Sequence, residues 1–134
     1  MLFFLAILLA ESCNSNKSNE EALYGPTWEL EYISGPRIVF EGLFPNKKPQ
    51  IAFNKESGEV FGTDSCNGYT ADYKLEGNSI SFGEPGPTTM MFCGGSERQF
   101  LEMMKKIDGY ALEDGKLNLL IGEIPMMRFK KVEP

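Results

Sequence analysis

The connections between the strand-like segments from Gln50 to Phe82 and from Tyr110 to Ile121 are too short for anything but antiparallel pairing. Tyr69-Thr70-Ala71-Asp72-Tyr73-Lys74-Leu75 alternates, with Tyr69, Ala71, Tyr73 and Leu75 on one face and Thr70, Asp72 and Lys74 on the other, the period-two signature of a half-buried strand. Glu76-Gly77-Asn78 then turns the chain into Ser79-Ile80-Ser81-Phe82. Upstream, Gln50 to Phe53 and Glu59 to Gly62 flank Asn54-Lys55-Glu56-Ser57-Gly58 and predict a hairpin. Downstream, Asp114-Gly115 is a hairpin turn signal between Tyr110–Glu113 and Lys116–Ile121, and 126–132 can close the sheet. A parallel crossover needs about a dozen residues or more, which these links lack.

Two further segments complete the expected architecture. Thr27 to Tyr32 alternates with Trp28, Leu30 and Tyr32 on one face, and Gly25-Pro26 before it marks an edge of the domain. Phe100, Met103, Met104 and Ile107 recur at helical spacing, with Lys105 and Lys106 in the last turn. Ser96-Glu97-Arg98-Gln99 has the capping-box spacing, and Gly109 is placed to end the helix in a left-handed conformation. The fold expected is α+β: a curved antiparallel sheet or small barrel with one helix packed on it. Ser34 to Pro49 reads as a long turn-rich loop around Ile38-Val39-Phe40.

The chain has 134 residues, room for one core. Its first ten, Met1 to Ala10, are uninterruptedly apolar, too short to cross a bilayer as a helix but the length of a signal-peptide core. Ala10-Glu11-Ser12-Cys13, followed by the polar tract from Asn14 to Glu21, resembles a lipoprotein signal. The expected division is a signal peptide over 1–12, a polar tether over 13–22 and a folded domain over 23–134, with Cys13 acylated. An ordinary signal peptide with a spare cysteine is the alternative. Removing Cys13 from the three cysteines leaves an even pair, Cys66 and Cys93. In an oxidising compartment these are expected to join and add roughly 3 to 4 kcal/mol of stability on the chain-entropy picture; two buried free thiols are the alternative.

Function classes narrow on composition. The net charge of −6 offers no basic surplus for a phosphate backbone, so nucleic acid is not an expected partner. The chain contains no histidine, which removes the Ser-His-Asp and Cys-His arrangements and most zinc and copper sites. No cofactor or metal is expected. Asp64, Asp72, Glu76 and Glu84 could supply a carboxylate pair for hydrolysis, although carboxylates in a chain of this composition are more often solvated. Met90-Met91 and Met126-Met127 read as core, with a hydrophobic-ligand or soft-metal surface as the alternative.

Gly62-Thr63-Asp64-Ser65-Cys66-Asn67-Gly68-Tyr69, then Thr89-Met90-Met91-Phe92-Cys93, resembles the META domain family, which includes the heat-shock protein HslJ. The matching positions are Gly62, Cys66, Asn67 and Tyr69 in the first motif and Thr89, Met91 and Cys93 in the second. Trp28-Glu29-Leu30, Phe53 and Phe100-Leu101 resemble the family's opening strand, sheet phenylalanine and helix, so the resemblance runs from Leu23 to Val132. The departures are Phe92, where a small residue or Met is common, and the length of the 34–49 loop. The resemblance implies a compact antiparallel β fold with a helix, similar to a lipoprotein pilotin of type III secretion, in secreted or lipid-anchored envelope proteins. Members are linked to heat-shock response, motility and antibiotic resistance; no activity is implied. Asn67-Gly68 suits a tight turn with positive φ. Asn67, Tyr69, Thr89 and Met91 form a candidate ligand surface, with packing as the alternative role.

The reading that results is a non-enzymatic protein of the cell envelope, outer-membrane anchored through Cys13, that binds a protein partner or an apolar ligand in the envelope stress response. A small hydrolase using acidic residues is the first alternative. A protease inhibitor presenting Lys47-Lys48 on the 34–49 loop is the second.

Overall fold

In the computed structural model, residues 20–35, 40–86 and 91–133 are described. The apolar run, Cys13, most of the polar tract, Ile38-Val39, Thr89 and Met90 lie outside them. Eight strands follow one another up and down: β1 Thr27–Ile33, β2 Gln50–Asn54, β3 Glu59–Thr63, β4 Gly68–Glu76, β5 Ser79–Phe82, β6 Gly109–Glu113, β7 Lys116–Ile121 and β8 Ile124–Val132. Each is antiparallel to the next, and β8 pairs with β1, so the sheet closes in a ring. The ring is not a regular barrel. β5 and β6 share the single register pair Ser79↔Gly109, and β1 meets β2 at Trp28↔Ile51 and Glu29↔Gln50.

Helices occupy both places where the ladder thins. Helix α1, Phe40–Leu43, packs near β1, and helix α2, Ser96–Lys106, lies against β5 and leads directly into β6. Only α2 was legible as a helix, because one turn is too short to show a period. Its apolar stripe is buried as expected: Phe100 and Met104 fully, Ile107 almost so.

The interior is filled by the inward residues of the strands: Trp28, Leu30, Ile51, Val60, Ile80, Leu117, Leu119, Met127 and Phe129 are all at or near zero exposure. Burying each such side chain contributes about 1.5–3 kcal/mol relative to leaving it in water. β1 departs from strict alternation. Its register against β8 shifts between Leu30 and Tyr32, and the extra residue turns the following side chains over. Ile33 therefore faces the core, while Tyr32, expected inward, is 39% exposed and lies beneath the Arg128 guanidinium at 5.4 Å.

The ring has two mouths, closed differently. The strand ends Ile33, Gln50, Thr63, Gly68 and Gly109 share one mouth, and α2 lies across it. At the other mouth, residues 20–23 are helical and Leu23 is fully buried. The Trp28 indole N–H donates to the Leu23 carbonyl at 3.1 Å, and the Tyr24 and Tyr73 hydroxyls meet at 3.1 Å. The chain thus contributes to the core from Leu23, ahead of Gly25-Pro26.

Both ends of α2 differ from the expected caps. Gly95, with φ of 98°, precedes the helix and no side chain caps it, so the Ser96/Gln99 box is not used. The Glu97 carboxylate instead accepts the Cys93 and Gly95 N–H groups at 3.1 and 3.2 Å. At the other end, Ile107 is extended and Gly109 begins β6 without a positive φ. A left-handed cap would turn the chain back, whereas here Asp108 already bonds to Leu120 and Ile80 on either side.

At Gly62 strands β2 and β3 lie so close that a Cβ would overlap the Gln50 carbonyl oxygen. Gly62→Ala is expected to lower the stability by about 1–3 kcal/mol, the usual cost of overpacking, measured by urea denaturation against Thr70→Ala on the exposed face.

Candidate functional site

The connection from β3 to β4 is built around one carboxylate. Asp64 is 2% exposed, and its Oδ1 accepts the N–H groups of Cys66 at 2.9 Å and Asn67 at 2.6 Å. Its own N–H donates to the Asn67 carbonyl at 3.0 Å. The Thr63 hydroxyl donates to that same carbonyl at 2.9 Å and accepts the Ser65 N–H at 3.2 Å. The positive φ that a tight turn needs falls on Ser65, at 89°, and not on Asn67 or Gly68 as expected. The reason is the Asp64 cap: two N–H groups converging on one oxygen force the reversal onto the residue between Asp64 and Cys66.

Two links tie this turn to the chain entering α2. Cys66 and Cys93 form a disulfide with Cα atoms 5.8 Å apart. Beside it, Asn67 pairs with the backbone of Met91: Oδ1 accepts the Met91 N–H at 2.9 Å and Nδ2 donates to the Met91 carbonyl at 3.0 Å. Glu97 holds the next residues from the helix side. Burial pushes its carboxyl up, but the N–H groups of Cys93, Glu97 and Gly95 and the charge of Arg98 outweigh it and hold the group below the ordinary 4.5.

What these links position is apolar and exposed. Met91 is 57% exposed and Phe92 78%. A groove of about 240 Å³ runs beside them, lined by Asn67, Met91, Phe92, Glu97, Arg98 and Leu101. An adjoining one of about 670 Å³ is walled by Tyr69, Pro85, Leu101 and Arg98. Of the expected ligand surface, the structure brings Asn67 and Met91 together, and Thr89 lies outside the described residues. The Asn67 amide is engaged with backbone. Tyr69 is buried edge-on to Phe100 with ring centroids 5.5 Å apart, and its hydroxyl has no partner among the described residues. Burial raises the pKa of that hydroxyl well above the ordinary tyrosine value, so it stays protonated. Neither Phe92 nor Glu97 was given a site role from sequence. The signal for Phe92 was its departure from the family pattern; Glu97 was hidden by the capping-box reading of its neighbours.

The carboxylates considered for hydrolysis have separate structural roles, while Asp64 and Glu84 border one groove and Asp72 and Glu84 another. Asp64 holds the turn, Asp72 and Glu76 are exposed on β4, and the exposed Glu84 pairs with Lys105 at 3.6 Å. Among the described residues no group of three or more His, Cys, Asp or Glu side chains is placed to hold a metal ion. Of the lysine pair, Lys47 is exposed and Lys48 lies over the Phe40 ring. Of the methionines, Met127 is core and Met91 is not.

The family model for the META domain matches residues 21–133. The chain belongs to the META domain family. This META domain is similar in fold to a protein from Burkholderia xenovorans solved by NMR, at 22% identity over 85% of this chain and 86% of that one, with a TM-score of 0.63. It is also similar to a DUF4847 family protein from Bacteroides vulgatus, at 14% identity over 86% and 96% and a TM-score of 0.57. No curated protein matches the sequence. Gly62 lets two strands touch, Cys66 and Asn67 staple the turn to the second motif, and Tyr69 supports the helix.

Replacing both Cys66 and Cys93 by Ala is expected to lower the stability of the META domain by about 3–4 kcal/mol, given the 27-residue separation, measured by urea denaturation under oxidising conditions. Glu97 contributes in a pH window. A carboxyl with a depressed folded pKa stabilises fully above its ordinary value and loses that contribution as pH falls through the folded one. The stability gap between the parent and Glu97→Gln should therefore be widest near neutrality and shrink below pH 4.5, read from denaturation curves at several pH values.

Proposed function

We propose that this META domain is the binding module of an exported lipoprotein, acylated at Cys13, non-enzymatic, and engaged by a protein partner of the cell envelope in the stress response. The observation that supports this reading is the polarity of the ring. The chain enters at the mouth closed by residues 20–24, and Met91, Phe92 and the disulfide stand at the opposite mouth. The stretch from Cys13 to Glu20, fully extended, reaches only about 25 Å. A lipid on Cys13 therefore keeps the entry mouth near the membrane and turns the disulfide pole away from it.

A protein partner is favoured over an enclosed apolar ligand because side chains already occupy the interior of the ring. Phe92 and Met91 have the character of interface anchors: large, apolar, exposed, and held in place before the partner arrives. Asn67 holds Met91, the disulfide holds Cys93, and Glu97 holds Cys93 and Gly95.

Two measurements test the reading. Intact mass of the protein purified from its own membranes should show acylated Cys13; an unacylated soluble chain would overturn the anchor. A photo-crosslinking amino acid in place of Phe92 should give a discrete envelope-protein adduct. The same residue in place of Phe61, 49% exposed on β3, should not. Equal labelling from both positions would sink the disulfide pole as the contact face.

A further inference from the structure

Asn67 is followed by Gly68, a pairing with a chemical liability of its own. Without a side chain on Gly68, its backbone nitrogen meets little steric resistance on the way to Cγ of Asn67. Attack forms an N–Cγ bond and breaks the Cγ–Nδ2 bond. Ammonia leaves with the proton given up by the Gly68 nitrogen, and a cyclic imide remains. Water then opens the ring to a carboxylate, as aspartate or isoaspartate at position 67.

In this fold every polar group of Asn67 is engaged. Its N–H donates to Asp64 Oδ1 at 2.6 Å. Its carbonyl accepts from the Asp64 N–H at 3.0 Å and the Thr63 hydroxyl at 2.9 Å. Oδ1 and Nδ2 both bind the Met91 backbone, and the residue is 8% exposed. Ring closure requires both Met91 bonds to break and the side chain to swing back toward Gly68.

We infer that Asn67-Gly68 is a latent deamidation site held closed by the Cys66–Cys93 disulfide, and that reduction opens it. Cys66 is the neighbour of Asn67, and Cys93 lies just beyond Met91. The cross-link therefore keeps the Met91 backbone opposite the Asn67 amide. A dithiol that passes two electrons and two protons to the cystine, becoming a disulfide itself, leaves the clamp to its two hydrogen bonds. The product cannot restore it. A carboxylate at position 67 has no N–H for the Met91 carbonyl and adds a negative charge beside Asp64. The change is one-way, and Met91 and Phe92 lose their fixed position. The disulfide pole thus carries a thiol-gated timer on its own shape.

The test is peptide mapping by mass spectrometry on the full-length protein, oxidised and dithiothreitol-reduced, incubated beside a synthetic peptide of residues 63–73 with its thiol alkylated. The oxidised protein should convert Asn67 on the order of tenfold or more slowly than the peptide, because two hydrogen bonds must break first. Reduction should bring the rate toward that of the peptide. Equal rates in oxidised and reduced protein would overturn the inference. Since reduction can also unfold the chain, Met91→Pro is the second arm: it removes the N–H accepted by Oδ1 and leaves the disulfide in place. Faster conversion in the oxidised variant supports the clamp, and a rate equal to the parent's refutes it.

Discussion

The ladder between β1 and β8 joins the first strand of the domain to the last, and the rest of the fold depends on that closure. Without it the meander would be an open sheet with two unpaired edges and a core exposed along one side. The pairing runs from Thr27↔Val132 to Ile33↔Met127, and its outer face is laced with charge. Glu31 accepts Lys116 at 2.6 Å and Arg128 at 2.8 Å, and Glu29 accepts Gln50 at 2.7 Å with Lys130 at 3.7 Å. Burial works against the Glu31 carboxylate, but its hydrogen bonds to the two cations prevail and its pKa is lowered. Surface ion pairs contribute little to stability singly. Here they match β1 to β8 in register, where a slip by one residue would turn Trp28 and Phe129 out of the core.

Closure through the ends makes the two mouths unequal. At the entry mouth the chain plugs the ring with its own leading residues, Leu23 beneath Trp28 and Tyr24 against Tyr73. The far mouth is closed by α2, and the sheet beside it is weak because β5 and β6 barely overlap. The disulfide, the Asn67 clamp and the Glu97 carboxylate make up that deficit at the start of α2. The restraints that give the disulfide pole its shape are thus also those that seal the ring.

Much of this was legible along the chain. Period-two alternation and turn residues located β2 to β5 and the β6–β7 hairpin, and Asp114 and Gly115 adopt the positive φ that their turn requires, 53° and 74°. The helical stripe of α2 was equally plain, and so was the cysteine pair. What escaped was a feature set by a strand distant in sequence and two set by which of several neighbouring polar side chains is buried. The bulge at Tyr32 depends on β8, the unused Ser96 box on a carboxylate reaching back to Cys93, and the turn at Ser65 on how Asp64 is buried. The candidate surface was half legible: Asn67 and Met91 do meet, but through the backbone of Met91, and the exposure of Phe92 has no periodic signature.

The sequence by itself determined the antiparallel class, the amphipathic helix and the membership of the META family. Each of these is written in short-range periods, turn residues and motif spacing. Tertiary structure alone decided that the sheet closes into a ring, that the chain enters at one mouth and the disulfide stands at the other, and which side chains remain exposed there. Closure is a long-range pairing between β1 and β8, and exposure is what remains after every other contact has formed; neither has a local energetic signature in the chain.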